Sequence, residues 1–414
     1  MNKSYLLTLI SFIFFNITFA DGKIESYKSG LDRTMSFPDT KEYLTISTDL
    51  HTHSVFSDGH VWPNIRVAEA RKDNIDVLAI TEHLEYQPHI MHIPHENRNS
   101  AYIEAKRSAS GTDLIVINGS EITREMPPGH INAIFVKDAN KLYKFDQKLL
   151  PEAKELIQER AQGAELPEEQ MQVIENYALG NLYPPLEALK EAKNQGAFVF
   201  WNHPMWGSQA SDGIARLDEM HKEFITKDLL HGIEIVNTGT YSEEAFNIAL
   251  DNNLALIGTS DVHDLIEWDY DAHNNEHRPV TLVFAKERNE ASIKEALFER
   301  RTVVVFKDRL IGRSEYLLPL LESIINISSN GYRKGTQILK IEILNNSSAN
   351  MVLENLSEFN FADSDDLISI PKNGKVTLQV KTLEVLNNLD LKFRILNALT
   401  APKQNPVIAF EIGI

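Results

Sequence analysis

From Leu44 onward, short apolar runs alternate with amphipathic helical stretches, and this alternation restricts the architecture more than any other feature of the chain. The run Leu44 to His53 precedes a helical stretch Trp62 to Asn74; Val77 to Ile80 precedes Asn97 to Ser110; Leu114 to Ile117 leads to Ile131 to Val136. A Glu/Gln/Lys-rich stretch from about Asp138 to Leu182 reads as an exposed helical insertion. The alternation then resumes: a helix opened by Pro184-Pro185 and ended by Gly196 precedes Phe198 to Trp201. Asp218 to Lys227 precedes Ile233 to Val236, and Glu243 to Asn252 precedes Leu254 to Ile257. Val280 to Phe284, the helix Ala291 to Arg300 and Thr302 to Phe306 complete the series. The pattern predicts an α/β domain with a parallel sheet and outer helices, either a barrel or a doubly wound sheet.

Beyond about Leu321 the helical signals fade, and Asn/Ser turns separate short alternating runs such as Val376 to Val380 and Leu391 to Leu396. A small antiparallel β-sandwich is expected over 321–414, after a catalytic-size domain over 45–320 and a linker over 21–44. At the start, Lys3, the apolar stretch Tyr5 to Phe19 and Ala20 form a signal-peptide pattern over 1–20, too short for the roughly 20 apolar residues of a membrane span. A periplasmic or secreted protein, with no stable membrane span after cleavage, is the expectation; its oligomeric state is left open. Lys plus Arg total 41 against 59 Asp plus Glu, a formal charge of −18, which argues against a broad nucleic-acid surface. There is no cysteine, so any metal must be held by nitrogen and oxygen.

The chemistry-bearing residues fall at the ends of the apolar runs. His51 and His53 share one strand face, with Asp58 in the turn that follows. His83, Glu121, His130, His203, Asp261 and His263 each lie just outside or beside another run. In a βα architecture these ends meet on one rim, so nine donors, six imidazoles and three carboxylates, predict a centre of two or three divalent cations: zinc, manganese or iron. Glu82 is a candidate for orienting His83 or a water. Arg124 and Arg278 are candidates for holding a phosphoryl group.

In order along the chain, His51-x-His53 with Ser57-Asp58-Gly59, Thr81-Glu82-His83, Gly119-Ser120-Glu121, His130, Asn202-His203-Pro204 and Ser260-Asp261-Val262-His263 resemble the motifs of the PHP (polymerase and histidinol phosphatase) family. The resemblance runs from His51 to about Arg301. It implies a distorted (β/α)7 barrel with a trinuclear metal centre. His51, His53, Glu121 and Asp261 would hold one ion, Glu121 would bridge to a second held by His130 and His203, and Asp58, His83 and His263 would take the third. The implied activity is hydrolysis of phosphomonoesters or small phosphodiesters by attack of a metal-bridging hydroxide, with Glu121, Asp261, Arg124 and Arg278 as catalytic candidates and a small phosphorylated substrate as partner. The alternatives are an amidohydrolase-like hydrolase and a non-catalytic metal- or glycan-binding module. An export signal and a terminal β domain depart from the family's cytosolic biosynthetic members and argue against histidinol phosphate as substrate.

Overall fold

A computed structural model describes residues 33–161, 165–271, 273 and 276–414; the expected signal peptide and most of the expected linker lie outside the described residues. The main sheet is built from β1 (Leu44–Asp49), β2 (Val77–Ile80), β3 (Ile115–Ile122), β4 (Ile131–Ile134), β5 (Phe198–Trp201), β6 (Gly232–Asn237), β7 (Ala255–Thr259), β8 (Val280–Ala285), β9 (Thr302–Phe306) and β10 (Arg309–Gly312). Helices α1 (Pro63–Lys72), α2 (Ser100–Ser108), α3 (Leu150–Ala161), α4 (Met171–Leu182), α5 (Pro185–Gln195), α6 (Glu219–Thr226), α7 (Glu243–Asp251), α8 (Glu290–Phe298) and α9 (Ser314–Ile324) connect or flank them. Every residue of β2, β5 and β7 is buried, as strands covered on both faces must be, which is why they read as unbroken apolar runs. Helix ends follow local chemistry: α5 begins with proline and stops at Gly196 in the left-handed conformation, and Ser242 and Asn289 cap α7 and α8.

The sheet order is β10-β9-β8-β1-β2-β3-β4-β5-β6-β7. It is mixed rather than all parallel. β1, β2 and β3 run parallel, as do β5, β6 and β7, whereas β4 is antiparallel to both neighbours and β8 to β1. For β4 the reason is chain length: the connection from Ile122 to Ile131 is too short for the dozen or more residues a parallel crossover needs. The sheet curls until the chain beyond β1 meets the chain beyond β7. There Thr52 and Val262 form a parallel bridge, flanked by hydrogen bonds from His53 N to Val262 O (3.1 Å) and Asp261 N to His51 O (3.0 Å). Lower down, Thr281 Oγ1 is 2.9 Å from both Gly258 N and Gly258 O, and a side chain at Gly258 would run into Val304.

The C-terminal unit is a sandwich of two antiparallel sheets. One pairs β11 (Ile325–Tyr332), β12 (Ile338–Asn345) and β15 (Lys375–Lys381); the other pairs β14 (Leu367–Ile370), β13 (Met351–Asn355), β16 (Asn388–Ile395) and β17 (Val407–Gly413). Leu389, Leu391, Phe393 and Ile395 alternate inward from β16, the period of two that the sequence carries. Helix α9 runs directly into β11, and its Leu317, Leu320, Leu321 and Ile324 join one apolar core with Ile341 and Ile343 of the sandwich. Residues 33–43, the described part of the expected linker, enter the fold packed against it. Met35 is buried, Arg33 pairs with Asp73 (2.9 Å), and Ser36 N donates to Ser348 Oγ (2.9 Å), so the segment fastens the α/β unit to the sandwich. Among the described residues no helix is long and apolar enough to cross a membrane.

Candidate metal centre

The rim where the curled sheet closes collects all nine expected donors. The period of two in the extension of β1 turns His51 and His53 inward, buried, with their Nε2 atoms 3.0 Å apart. Asp261 Oδ1 lies 3.2 Å from each of those nitrogens. Glu121, buried on β3, is the hub. Its Oε1 is 2.9 Å from His130 Nδ1 and 3.3 Å from His203 Nε2; its Oε2 is 2.9 Å from His83 Nδ1, 3.3 Å from His53 Nε2 and 3.4 Å from His51 Nε2. Asp58 closes the cage through His83 Nε2 (3.3 Å) and His263 Nε2 (3.2 Å). The turn that presents Asp58 needs Gly59, because a Cβ there would fall 2.8 Å from Ser54 N. His203 and Asp261 both adopt left-handed backbone conformations (φ 28° and 49°), a cost that recurs where geometry is set by function.

Ligand atoms fall into four overlapping groups, each within 4.8 Å: His53, Asp58, His83 and His263; His51, His53 and Asp261; His51, Glu121 and His203; His83, Glu121 and His130. His130 and His203, expected on one ion, share Glu121 Oε1 but fall in different groups. These residues fit divalent cations on physical grounds. Glu121 Oε2 is buried among three imidazole nitrogens within 3.4 Å, Asp58 Oδ1 faces His263 Nε2 at 3.2 Å, and the Nε2 atoms of His51 and His53 face each other at 3.0 Å, a convergent donor set of the kind that holds cations. The mixed nitrogen and oxygen set suits zinc, manganese or iron.

Without cations, the carboxylates hold protons on the imidazoles. Burial opposes charge on His51 and His83, yet Asp261 and Glu234 outweigh it at the first, and Glu121 and Asp58 at the second, so both titrate well above the usual histidine range. At His263 burial is likewise overcome by Asp58 and Asp261, and its pKa is pushed up to about 9. Glu121, Asp58 and Asp261 stay ionised against burial because the imidazoles hold their pKa values down. At pH 7.5 these imidazoles carry protons that cation binding must expel. Calorimetry in buffers of different ionisation enthalpy is therefore expected to register net proton release, and affinity to weaken as pH falls from 9 to 6; pH-independent affinity would contradict this.

Residues behind the cage were harder to anticipate. Glu234 lies in the middle of β6 with its carboxylate fully buried, accepting from His51 Nδ1 (2.9 Å), Thr259 Oγ1 (2.6 Å), Asn237 Nδ2 (2.9 Å) and His203 N (2.7 Å). It leaves His51 Nε2 free to face the cage. A charge inside an otherwise apolar strand was its only sequence signal. Glu234→Gln is expected to weaken metal affinity about 10–100-fold, measured by titration of the metal-free protein. Thr123 Oγ1 contacts His83 Nδ1 (2.7 Å), and Gln209 Nε2 contacts His203 Nδ1 (2.8 Å). Glu82 does not orient His83: it binds Ser54 and Ser57, and Ser57 Oγ in turn meets His53 Nδ1 at 3.2 Å.

The C-terminal residues 325–411 match DUF5001, an Ig-like domain. No curated protein matches the chain. Among solved structures, a two-domain protein from Bacteroides vulgatus, described as containing a predicted PHP-like metal-dependent phosphoesterase, is 33% identical, with a TM-score of 0.76, over 91% of this chain and 98% of that one. The chain belongs to the PHP family. A metal-dependent phosphoesterase candidate from Bifidobacterium adolescentis (18% identity, 54% of this chain, 89% of that one, TM-score 0.39) and an amidohydrolase from Chromobacterium violaceum (18%, 52%, 87%, 0.38) resemble it only in part.

In this PHP protein the two candidate arginines part company. Arg278 is fully buried and does not reach the cage. Its guanidinium donates to Asp49 (3.0 Å) and Asp73 (2.9 Å), which outweigh burial and keep it firmly charged. Position before β8 could not reveal that the side chain turns into the protein. Arg124 is also buried, paired with Glu85 and donating to Thr123 O (2.9 Å), but its Nε and Nη2 have no partner. It lines a cavity of about 630 Å³ that opens beside Asp58, His83 and His130. The expected exposed insertion contributes to the same cavity: α3 and α4 pack through Ala153, Ile157, Ala178 and Leu179, and Tyr177 of α4 forms part of the wall.

Proposed function

We propose that the protein is an exported phosphoesterase that carries three divalent cations on the nine-residue cage and hydrolyses small phosphomonoesters or phosphodiesters. The curled sheet is read as the family's distorted barrel, with β1 to β7 as its seven staves. One observation carries the activity: a cage of converging carboxylates and imidazoles adjoins a cavity whose wall includes the buried, charged side chain of Arg124. That pairing suits a phosphoryl group, which needs cationic stabilisation on several oxygens at once. Bound cations would supply Lewis acidity and a lowered pKa for attacking water.

The chain's own residues set the rest. Glu121 and Asp261 position the surrounding imidazoles, Glu234 fixes the tautomer of His51, and Arg124 neutralises phosphoryl oxygens from the cavity side with Glu85 holding it in place. Export is supported by Lys3, the apolar stretch Tyr5 to Phe19 and Ala20. The test is release of p-nitrophenolate from p-nitrophenyl phosphate and bis(p-nitrophenyl) phosphate by metal-loaded protein, abolished by chelator and restored by metal. Turnover of amides or lactones in place of both esters would assign the cage to amidohydrolase-like chemistry instead.

A further inference from the structure

The cavity beside the cage is far larger than a phosphoryl group requires, falling in the range of sites that enclose a whole small ligand. Its wall carries three aromatic side chains, Tyr86, Tyr177 and Trp206. The Tyr86 and Tyr177 rings meet edge to face, 5.8 Å apart at 73°, and leave no parallel slot between them for a flat base. Trp206, 49% exposed, is propped against His130 and His203 at 63° and 78°. Its backbone is fixed in a turn, donating to His203 O (2.8 Å) and accepting from Gln209 N (2.8 Å) and Ala210 N (2.8 Å), so a ligand meets a preset platform. Glu125 and Ser208 line the same cavity; Glu125, held by Arg160 (2.8 Å), keeps lone pairs that can accept from hydroxyls, and Ser208 can both donate and accept.

Resting on the phosphoesterase reading above, we infer that this cavity is a sugar-ring subsite and that the substrate is a sugar phosphate. The apolar C–H face of the ring would lie on Trp206, its hydroxyls would meet Glu125 and Ser208, and its phosphoryl group would point to Arg124 and the cage. A single aromatic platform edged by hydrogen-bonding side chains matches a ring with one apolar face and a polar circumference.

The test compares kcat/KM of the metal-loaded protein for glucose 6-phosphate, glycerol 3-phosphate and adenosine 5′-monophosphate, all esters of primary alcohols, so that intrinsic leaving-group reactivity is similar. Glucose 6-phosphate is expected to lead both others by about tenfold or more. Trp206→Ala and, independently, Tyr177→Ala are expected to shrink that lead to about two- or threefold. Equal or better turnover of the acyclic or the nucleoside ester, or variants that lower all three substrates alike, would overturn the sugar subsite. Turnover of a p-nitrophenyl ester but of none of the three also overturns the sugar subsite, whereas turnover of neither the three nor the p-nitrophenyl mono- and diester defeats the phosphoesterase reading instead. Binding then decides the subsite: glucose 6-phosphate must quench tryptophan fluorescence in the native protein and not in Trp206→Phe, and absence of quenching overturns it.

Discussion

Glu121→Gln is expected to lower kcat for phosphoester hydrolysis by about 10³-fold or more, in protein that remains folded. Glu121 meets five of the six cage imidazoles, His130 and His203 through one oxygen and His51, His53 and His83 through the other. The amide keeps the shape and a carbonyl acceptor, so Asn202 Nδ2, which donates to Oε1 at 2.8 Å, can still be satisfied. What disappears is the negative charge that faces His51, His53 and His83, together with the capacity to bridge two cations. Metal analysis is expected to find fewer ions per chain in the variant, and circular dichroism an unchanged fold. Full activity at full metal content would remove Glu121 from the centre.

Arg278→Ala is expected to destabilise the protein by about 3–5 kcal/mol, because it removes the shared cation from two buried carboxylates and leaves one of them with none. Asp73 retains Arg33 as a partner, but Asp49 is fully buried and keeps only Ser260, whose N and Oγ it accepts at 3.2 Å and 2.7 Å. Ser260 precedes Asp261, so the loss also loosens the strained residue that faces His51 and His53. Denaturant unfolding measures the stability, and kinetics below the unfolding transition separate the two roles considered for this arginine. A structural Arg278 leaves KM for an ester within about threefold, whereas a phosphoryl-binding one raises it about 100-fold.

The nine cage residues were legible because each sits at the end of an apolar run, and strand ends in βα architectures gather on one rim whatever the details of the sheet. Strand direction was less legible: β4 reads like any other short buried run, and only the length of the connection from Ile122 to Ile131 betrays that it reverses. Glu234 was hidden because periodicity assigns the middle of an apolar strand to packing, although a carboxylate there must have partners. Arg124 and Arg278 carry the same charge, one just after an apolar run and the other just before one. Only three-dimensional pairing tells them apart: two carboxylates close around Arg278, and one leaves Arg124 with N–H groups to spare. The insertion's composition showed helices but not that Tyr177 would reach the cavity, since burial of a helix face depends on what it meets.

Anomalous diffraction from crystals of the metal-loaded protein addresses the shared cage most directly. Three peaks are expected per chain, all between His51, His53, Asp58, His83, Glu121, His130, His203, Asp261 and His263. Loaded protein with no peak among these side chains, or with its metal held elsewhere on the surface, would contradict the proposed centre.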